Sequence, residues 1–104
     1  MVGATHDDRL LPLADGEVLF EQGDDGVRVY VVESGTVEIY RVLDDGGEEQ
    51  LTLIGPGNYF GELAPMFGLR RSASARAVDG PATVTGLSLR DFRERRGRSE
   101  PEDR

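Results

Sequence analysis

Val27-Arg28-Val29-Tyr30-Val31-Val32-Glu33-Ser34-Gly35-Thr36-Val37-Glu38-Ile39 is the stretch on which the fold turns. Successive side chains in a strand point to opposite sides, so valines at 27, 29 and 31 share one face of an extended chain. Ser34-Gly35 is a turn signal, and Val37 and Ile39 carry the apolar face on the way back. The same rhythm repeats outward. Upstream, Leu11 and Leu13 alternate around Pro12, Asp15-Gly16 is a two-residue hairpin signal, Val18 and Phe20 alternate on the return, and Gly23 and Gly26 close a second turn. Downstream, Asp44 to Gly47 turn the chain, Leu51 and Leu53 form the next inward pair, and Gly55-Pro56-Gly57 stops that strand. A last strand runs from Ala82 to Ser88, where Val84 and Leu87 fall out of phase across Gly86 and predict a bulge. About eight short strands between glycine turns predict a mainly β fold, a sandwich or barrel of jelly-roll type.

Two segments break the β rhythm. Residues 62–68 hold helix formers, with Pro65 early enough for a first turn and Gly68 suited to the C-terminal side, which predicts one to two helical turns. Ser88 caps a second short helix expected through Arg96, with Asp91 in the capping-box position and Leu89 and Phe92 on one face. Residues 1–8 read as a disordered polar leader, residues 9–97 as the folded domain, and the polar residues 98–104 as a disordered tail.

Composition narrows the function. The 104 residues carry 12 basic side chains, all arginine, against 20 acids, for a formal net charge of -8. That length is one domain, and 38% hydrophobic residues with 14 glycines allow one modest core. Cysteine is absent and His6 is the single histidine, which excludes a disulfide framework, thiolate zinc, thiol nucleophiles and multi-histidine metal chemistry. An enzyme on a cupin-like barrel lacks its metal ligands for the same reason. The apolar runs, such as Val29 to Val32, are far shorter than the ~20 residues a spanning helix needs, and no signal sequence opens the chain, so the expected location is the cytoplasm. Residues 1–89 hold 6 arginines against 15 acids, a field that repels a phosphate backbone and argues against direct nucleic-acid binding. Yet Arg70, Arg71 and Arg76 fall together in a stretch, between Glu62 and Asp79, that contains no acid. Such an island is either a basic surface loop or an anion site.

The chemistry concentrates in Phe60 to Ala77, FGELAPMFGLRRSASARA. Gly61 permits close backbone approach to a ligand, and the helix that follows turns unpaired N–H groups toward that place, which suits an anion. Glu62 cannot bind a phosphate, but its carboxylate accepts hydrogen bonds from hydroxyls, which suggests a sugar. Arg71 offers a planar guanidinium able to hold two phosphate oxygens, and Ser72 adds a hydroxyl. Ala73, Ala75 and Ala77 form a strand face with little bulk, against which a flat ligand could pack. The alternative is structural: Glu62 forms an ordinary ion pair with Arg71 or Arg70, and the alanines pack beneath the helix.

This stretch resembles the phosphate-binding cassette of cyclic nucleotide-binding domains, as found in regulatory subunits of cAMP-dependent protein kinase, bacterial catabolite activators and cyclic nucleotide-gated channels. The pattern Phe-Gly-Glu-Leu-Ala, a short helix, then Arg, a small or hydroxyl residue, Ala, and Ser or Thr is met without insertion. Gly16, Gly23-Asp24, Tyr30, Ser34-Gly35 and Gly55-Pro56-Gly57 match the family's β-roll glycine and aromatic positions, so the resemblance covers residues ~10 to 95. It implies a β-roll with a short cassette helix and a short C-terminal helix. It further implies that Arg71 binds the cyclic phosphate and Glu62 the ribose 2′-OH. The backbone around Gly61 and Leu63, with Ala73, would contribute N–H groups, and Ser72 would touch phosphate or base. The implied function is a regulatory module, not an enzyme, that senses cAMP or cGMP without a further cofactor and controls an attached or partner effector. The alternative is a β-roll that has lost its ligand and serves as an interaction module. Departures are Arg70, where the family usually has Pro; Pro65, where it has a large apolar residue; and Ala75, where it has Val. The family's long C-terminal helix is here reduced to residues 89–96, which implies either a piece of a larger protein or a module whose lid comes from a partner.

Overall fold

The computed structural model describes residues 9–99; the expected leader, residues 1–8, and residues 100–104 of the expected tail lie outside the described residues. Six strands and two helices follow in order: β1 (Arg9–Leu13), β2 (Val18–Phe20), β3 (Arg28–Val42), β4 (Glu48–Ile54), β5 (Tyr59–Phe60), α1 (Leu63–Phe67), β6 (Ser74–Ser88) and α2 (Leu89–Ser99). All pairings are antiparallel, in the order β1-β6-β3-β4, with β2 added along β6 and β5 along β3.

The mainly β reading holds, but several strands join differently from the sequence expectation. Asp15-Gly16 is a turn with Gly16 at φ 82°, yet β1 and β2 do not form a hairpin. Both lie along β6, β1 against residues 82–86 and β2 against Ala75 and Arg76, and the turn is held to β6 by Gly16 N–H donating to the Ala77 carbonyl at 2.8 Å. Pro12, with no N–H to give, is tolerated because β1 is an edge strand. Ser34-Gly35 is likewise a bend inside one long strand, not a reversal. Gly35 sits at φ 80°, and a Cβ there would fall 2.4 Å from the Pro81 carbonyl oxygen, so the close approach of β6 requires glycine. Between the pairs Ser34↔Thr83 and Thr36↔Val78, β6 carries the extra length, and Asp79 and Gly80 both have positive φ there. The larger irregularity therefore lies at residues 79–82, and a one-residue shift on β3 falls between Val32 and Ser34. No register shift occurs at Gly86, which pairs in sequence with Tyr30.

Val84 and Leu87 are out of phase because this part of the sheet is buried on both sides. Val84 joins a main cluster with Leu13, Val32, Val37, Phe60, Ala75, Ala77 and Ala82, whereas Leu87 packs with Val29, Val31 and Phe92 of α2. Val27, expected on the inward face, is 74% exposed just ahead of β3. Leu51 and Leu53 are also exposed, at 41% and 48%, because β4 pairs on one side only and turns Thr52 and Ile54 toward the cavity described below. The Asp44–Gly47 turn does form the β3–β4 hairpin, with Leu43 N–H donating to the Gly47 carbonyl at 2.8 Å.

Both helices occur where expected. Glu62 is the N-cap of α1, and Gly68 ends it in the left-handed conformation at φ 66°. Ser88 Oγ accepts from the Asp91 N–H at 3.0 Å and caps α2, which continues through Gly97 to Ser99 instead of stopping at Arg96. Phe92 anchors α2, and Arg95 adds a 3.1 Å ion pair to Glu33 on β3.

Candidate functional site

The end of β5, α1 and the approach to β6 wrap a cavity of about 390 Å³, a size suited to a small ligand. Phe20, Ile39, Thr52 and Ile54 supply an apolar wall, and every sequence-predicted site residue, Gly61, Glu62, Leu63, Arg71, Ser72 and Ala73, lines it. Of the small-residue face, only Ala73 reaches the cavity. Ala75 and Ala77 are fully buried in the core beneath, so the flat alanine platform expected from the sequence shrinks to one residue.

Arg71 is 5% exposed, unusual for arginine. Its backbone clips to the loop before β3, with Arg71 N–H donating to Asp24 O and Gly23 N–H donating to Arg71 O, each at 2.8 Å. Its Nη1 donates to the Gly61 carbonyl at 2.7 Å and its Nη2 to the Arg28 carbonyl at 2.9 Å, while Cζ stands 4.2 Å from the Phe20 ring centre. The buried Nε–H has no acceptor among the described residues. This guanidinium is held by neutral carbonyls with no ion pair among the described residues, and burial pulls its pKa below the ordinary arginine value, against weaker opposing effects of Tyr30 and Asp24. It remains a cation. Such a group favours an incoming anion.

The other arginines of the island differ from Arg71: Arg70 also lines the cavity, but from an exposed position. Arg70 pairs with Asp25 at 3.1 Å and donates to the Gly23 carbonyl at 3.2 Å. Arg76 leaves the site altogether: it pairs with Glu38 at 2.7 Å and Glu48 at 2.9 Å, lies 4.0 Å from the Tyr40 ring centre, and is held further above its ordinary pKa by these carboxylates. Glu62 pairs with neither Arg70 nor Arg71, and its half-buried carboxylate makes no hydrogen bond or ion pair among the described residues. Arg71 and Glu62 therefore line the same cavity without pairing with each other. Ser72 is exposed at the rim.

Sequence reasoning read Phe20 as a strand residue, Gly26 as a turn glycine and Tyr30 as a family position, and placed none of them at the site. A Cβ on Gly26 would lie 2.2 Å from Arg71 Nε, and one on Gly61 2.8 Å from Nη1, so both glycines make room for the guanidinium. The sequence marks Gly26 only as a turn glycine; it is the structure, where Gly26 has no positive φ and a Cβ would strike Arg71, that shows close approach as its reason.

Comparison with known proteins agrees with this geometry. The chain is 43% identical, over 93% of its length, to an uncharacterized ABC transporter ATP-binding protein of Mycobacterium tuberculosis, and covers 36% of that protein. It is 45% identical over 68% of its length to the cyclic AMP receptor protein of Thermus thermophilus, of which it covers 32%. The chain thus spans about a third of these relatives. The regulatory domain of Toxoplasma gondii PKA, solved with cAMP, superimposes with a TM-score of 0.74 at 29% identity, covering 84% of this chain and 33% of that one. The family model for the cyclic nucleotide-binding domain matches residues 10–98, so β-roll, cassette and cavity together make this chain a member of the cyclic nucleotide-binding domain family.

Proposed function

We propose that this domain is a regulatory sensor that binds a 3′,5′-cyclic nucleotide and passes the binding event to an effector, with no chemistry of its own. The observation that carries the reading is the buried Arg71 guanidinium, short of an acceptor at Nε, on the wall of a cavity it shares with the unpaired carboxylate of Glu62. Arg71 takes the cyclic phosphate and Glu62 accepts from the ribose 2′-OH. The backbone of Gly61, Leu63 and Ala73 lies along the sugar-phosphate, and Ser72 at the rim meets phosphate or base. cAMP is the first ligand to test, with cGMP beside it.

The relatives support one kind of effector. Those named as ABC transporter ATP-binding proteins are about three times the length of this chain, which supports an ATP-driven transporter as the attached output. Such a sensor works on the cytoplasmic side. No helix among the described residues is long and apolar enough to cross a membrane. The strongly acidic chain leaves nucleic acid to other domains.

The test is calorimetric titration of the chain with cAMP, cGMP and 5′-AMP. Saturable binding of a cyclic nucleotide, with 5′-AMP at least about tenfold weaker, supports the reading. No heat with either cyclic nucleotide overturns it and leaves an interaction module.

A further inference from the structure

We propose that Phe20 is a positioning residue: with Gly26 it forms a socket that fixes the plane of the Arg71 guanidinium before any ligand arrives. The inference rests on the phosphate role given to Arg71 above. Two hydrogen bonds, to the carbonyls of Gly61 and Arg28, fix the edges of the guanidinium. They leave it free to tip about the line joining them unless its face is also held. The Phe20 ring at 4.2 Å supplies that face, and the Gly26 backbone closes in so tightly that a Cβ there would stand 2.4 Å from Cζ. In a desolvated site the ring's negative face attracts the cation directly.

Phe20 can hold Arg71 because its own place is over-determined. Its backbone pairs with Ala75 on β6, and its ring packs against Tyr30 at 5.8 Å and Phe60 at 6.1 Å, which themselves stack at 5.7 Å. Phe60 directly precedes Gly61, whose carbonyl Arg71 grips. The aromatic trio thus ties the acceptor and the donor of one hydrogen bond to the same small cluster. A guanidinium held this way presents its remaining N–H groups in one direction, so binding does not have to order them.

The experiment has two readouts. In the 15N-labelled, ligand-free chain the Arg71 Nε–H signal, assigned by its loss in Arg71→Lys, is expected to be slow to exchange and shifted upfield by the Phe20 ring. In Phe20→Leu it should lose that shift and exchange at least about tenfold faster. In titrations Phe20→Leu should bind cAMP about tenfold more weakly and Phe20→Tyr within about twofold of the parent. In the Arg71→Lys background the same Phe20→Leu change should cost less than about twofold. An unaltered Nε–H signal in Phe20→Leu overturns the socket, as does an equal loss of affinity in both backgrounds. If Phe20→Leu does not fold, Phe20→Met is read the same way. If the parent binds no cyclic nucleotide while Phe20→Leu still frees the Nε–H, the ligand reading falls and the socket stands.

Discussion

Arg96 Nη1 donates a 2.6 Å hydrogen bond to Tyr59 Oη, and its guanidinium stands 5.1 Å from the centre of the same ring. Tyr59 lines the ligand cavity and also the open groove between α1 and α2, where Phe92 packs on it at 4.8 Å. One side chain is thus shared between the cavity wall and the C-terminal helix. Tyr59→Phe keeps the ring and deletes the acceptor. Global stability should fall by no more than about 0.5–1.5 kcal/mol, the worth of one hydrogen bond. Hydrogen exchange should quicken in the last turn of α2 and leave β3 and β6 unchanged.

Arg71→Ala should weaken binding by about 2–4 kcal/mol, roughly 30-fold or more, because the buried phosphate charge loses its partner. Arg71→Lys should restore only part of this, since a point charge cannot hold two oxygens in a plane. Arg76→Ala should change affinity little, as that side chain is committed to Glu38 and Glu48 away from the cavity, and Arg70→Ala should cost far less than Arg71→Ala, because Arg70 lines the cavity from an exposed position where water screens its charge. Calorimetry on the three alanine variants checks the ranking.

If Glu62 accepts from the ribose, the parent should prefer cAMP over its 2′-deoxy analogue by about 1.5–3 kcal/mol, the range for a hydrogen bond to a charged group. Glu62→Ala should erase most of that preference. Its melting temperature should stay near the parent's, because the carboxylate makes no hydrogen bond or ion pair among the described residues. A variant that discriminates as well as the parent would remove Glu62 from the site.

Acid should loosen the β-roll at two defined points. The Glu38 carboxyl is held below its ordinary value by a hydrogen bond from Gln50 and by Arg76, and Glu33 is held down by Thr85 and Arg95. Each therefore binds its proton more readily in the unfolded chain. The stability they contribute is whole above the ordinary glutamate value of 4.5 and is lost as pH falls below it through the lowered folded values. Glu38→Gln should be less stable than the parent at neutral pH and show a shallower acid limb. Urea midpoints at about pH 7, 5 and 3 give the comparison.

What the sequence made legible follows from how local each signal is. The Asp44–Gly47 turn, the Ser88 cap and the short helix after Gly61 are readable within a few residues, and each appears in the fold; the alternation through Val29 and Val31 is real but changes face at Ser34-Gly35, so that Val37 joins the other cluster. Partner choice is not local. Asp15-Gly16 reads as a hairpin turn, yet the strands it joins both find β6, because β6 is long enough to accept two short strands in succession. Leu51 and Leu53 alternate like core residues, but they face solvent because no layer covers that side of β4. The Arg71 socket was hidden for the same reason: Phe20, Gly26 and Arg71 meet only when β2 has paired with β6 and the loop before β3 has clipped to the cassette.

If Arg71 takes the phosphate as proposed, an anionic nucleotide must approach a chain of formal charge -8, with Arg76 tied to two acids and Arg70 facing Asp25, before it reaches the buried guanidinium. Salt should then act in an unaccustomed direction. Raising ionic strength from about 0.01 to 0.15 M shortens the screening length from about 30 to 8 Å. That hides the distant carboxylates from the incoming ligand while the buried Arg71 contact is barely weakened. Capture in stopped-flow mixing should therefore become faster with added salt, and release should hardly change. A receptor built this way is hindered in dilute buffer and reaches its full speed of response at the ionic strength of a living cell.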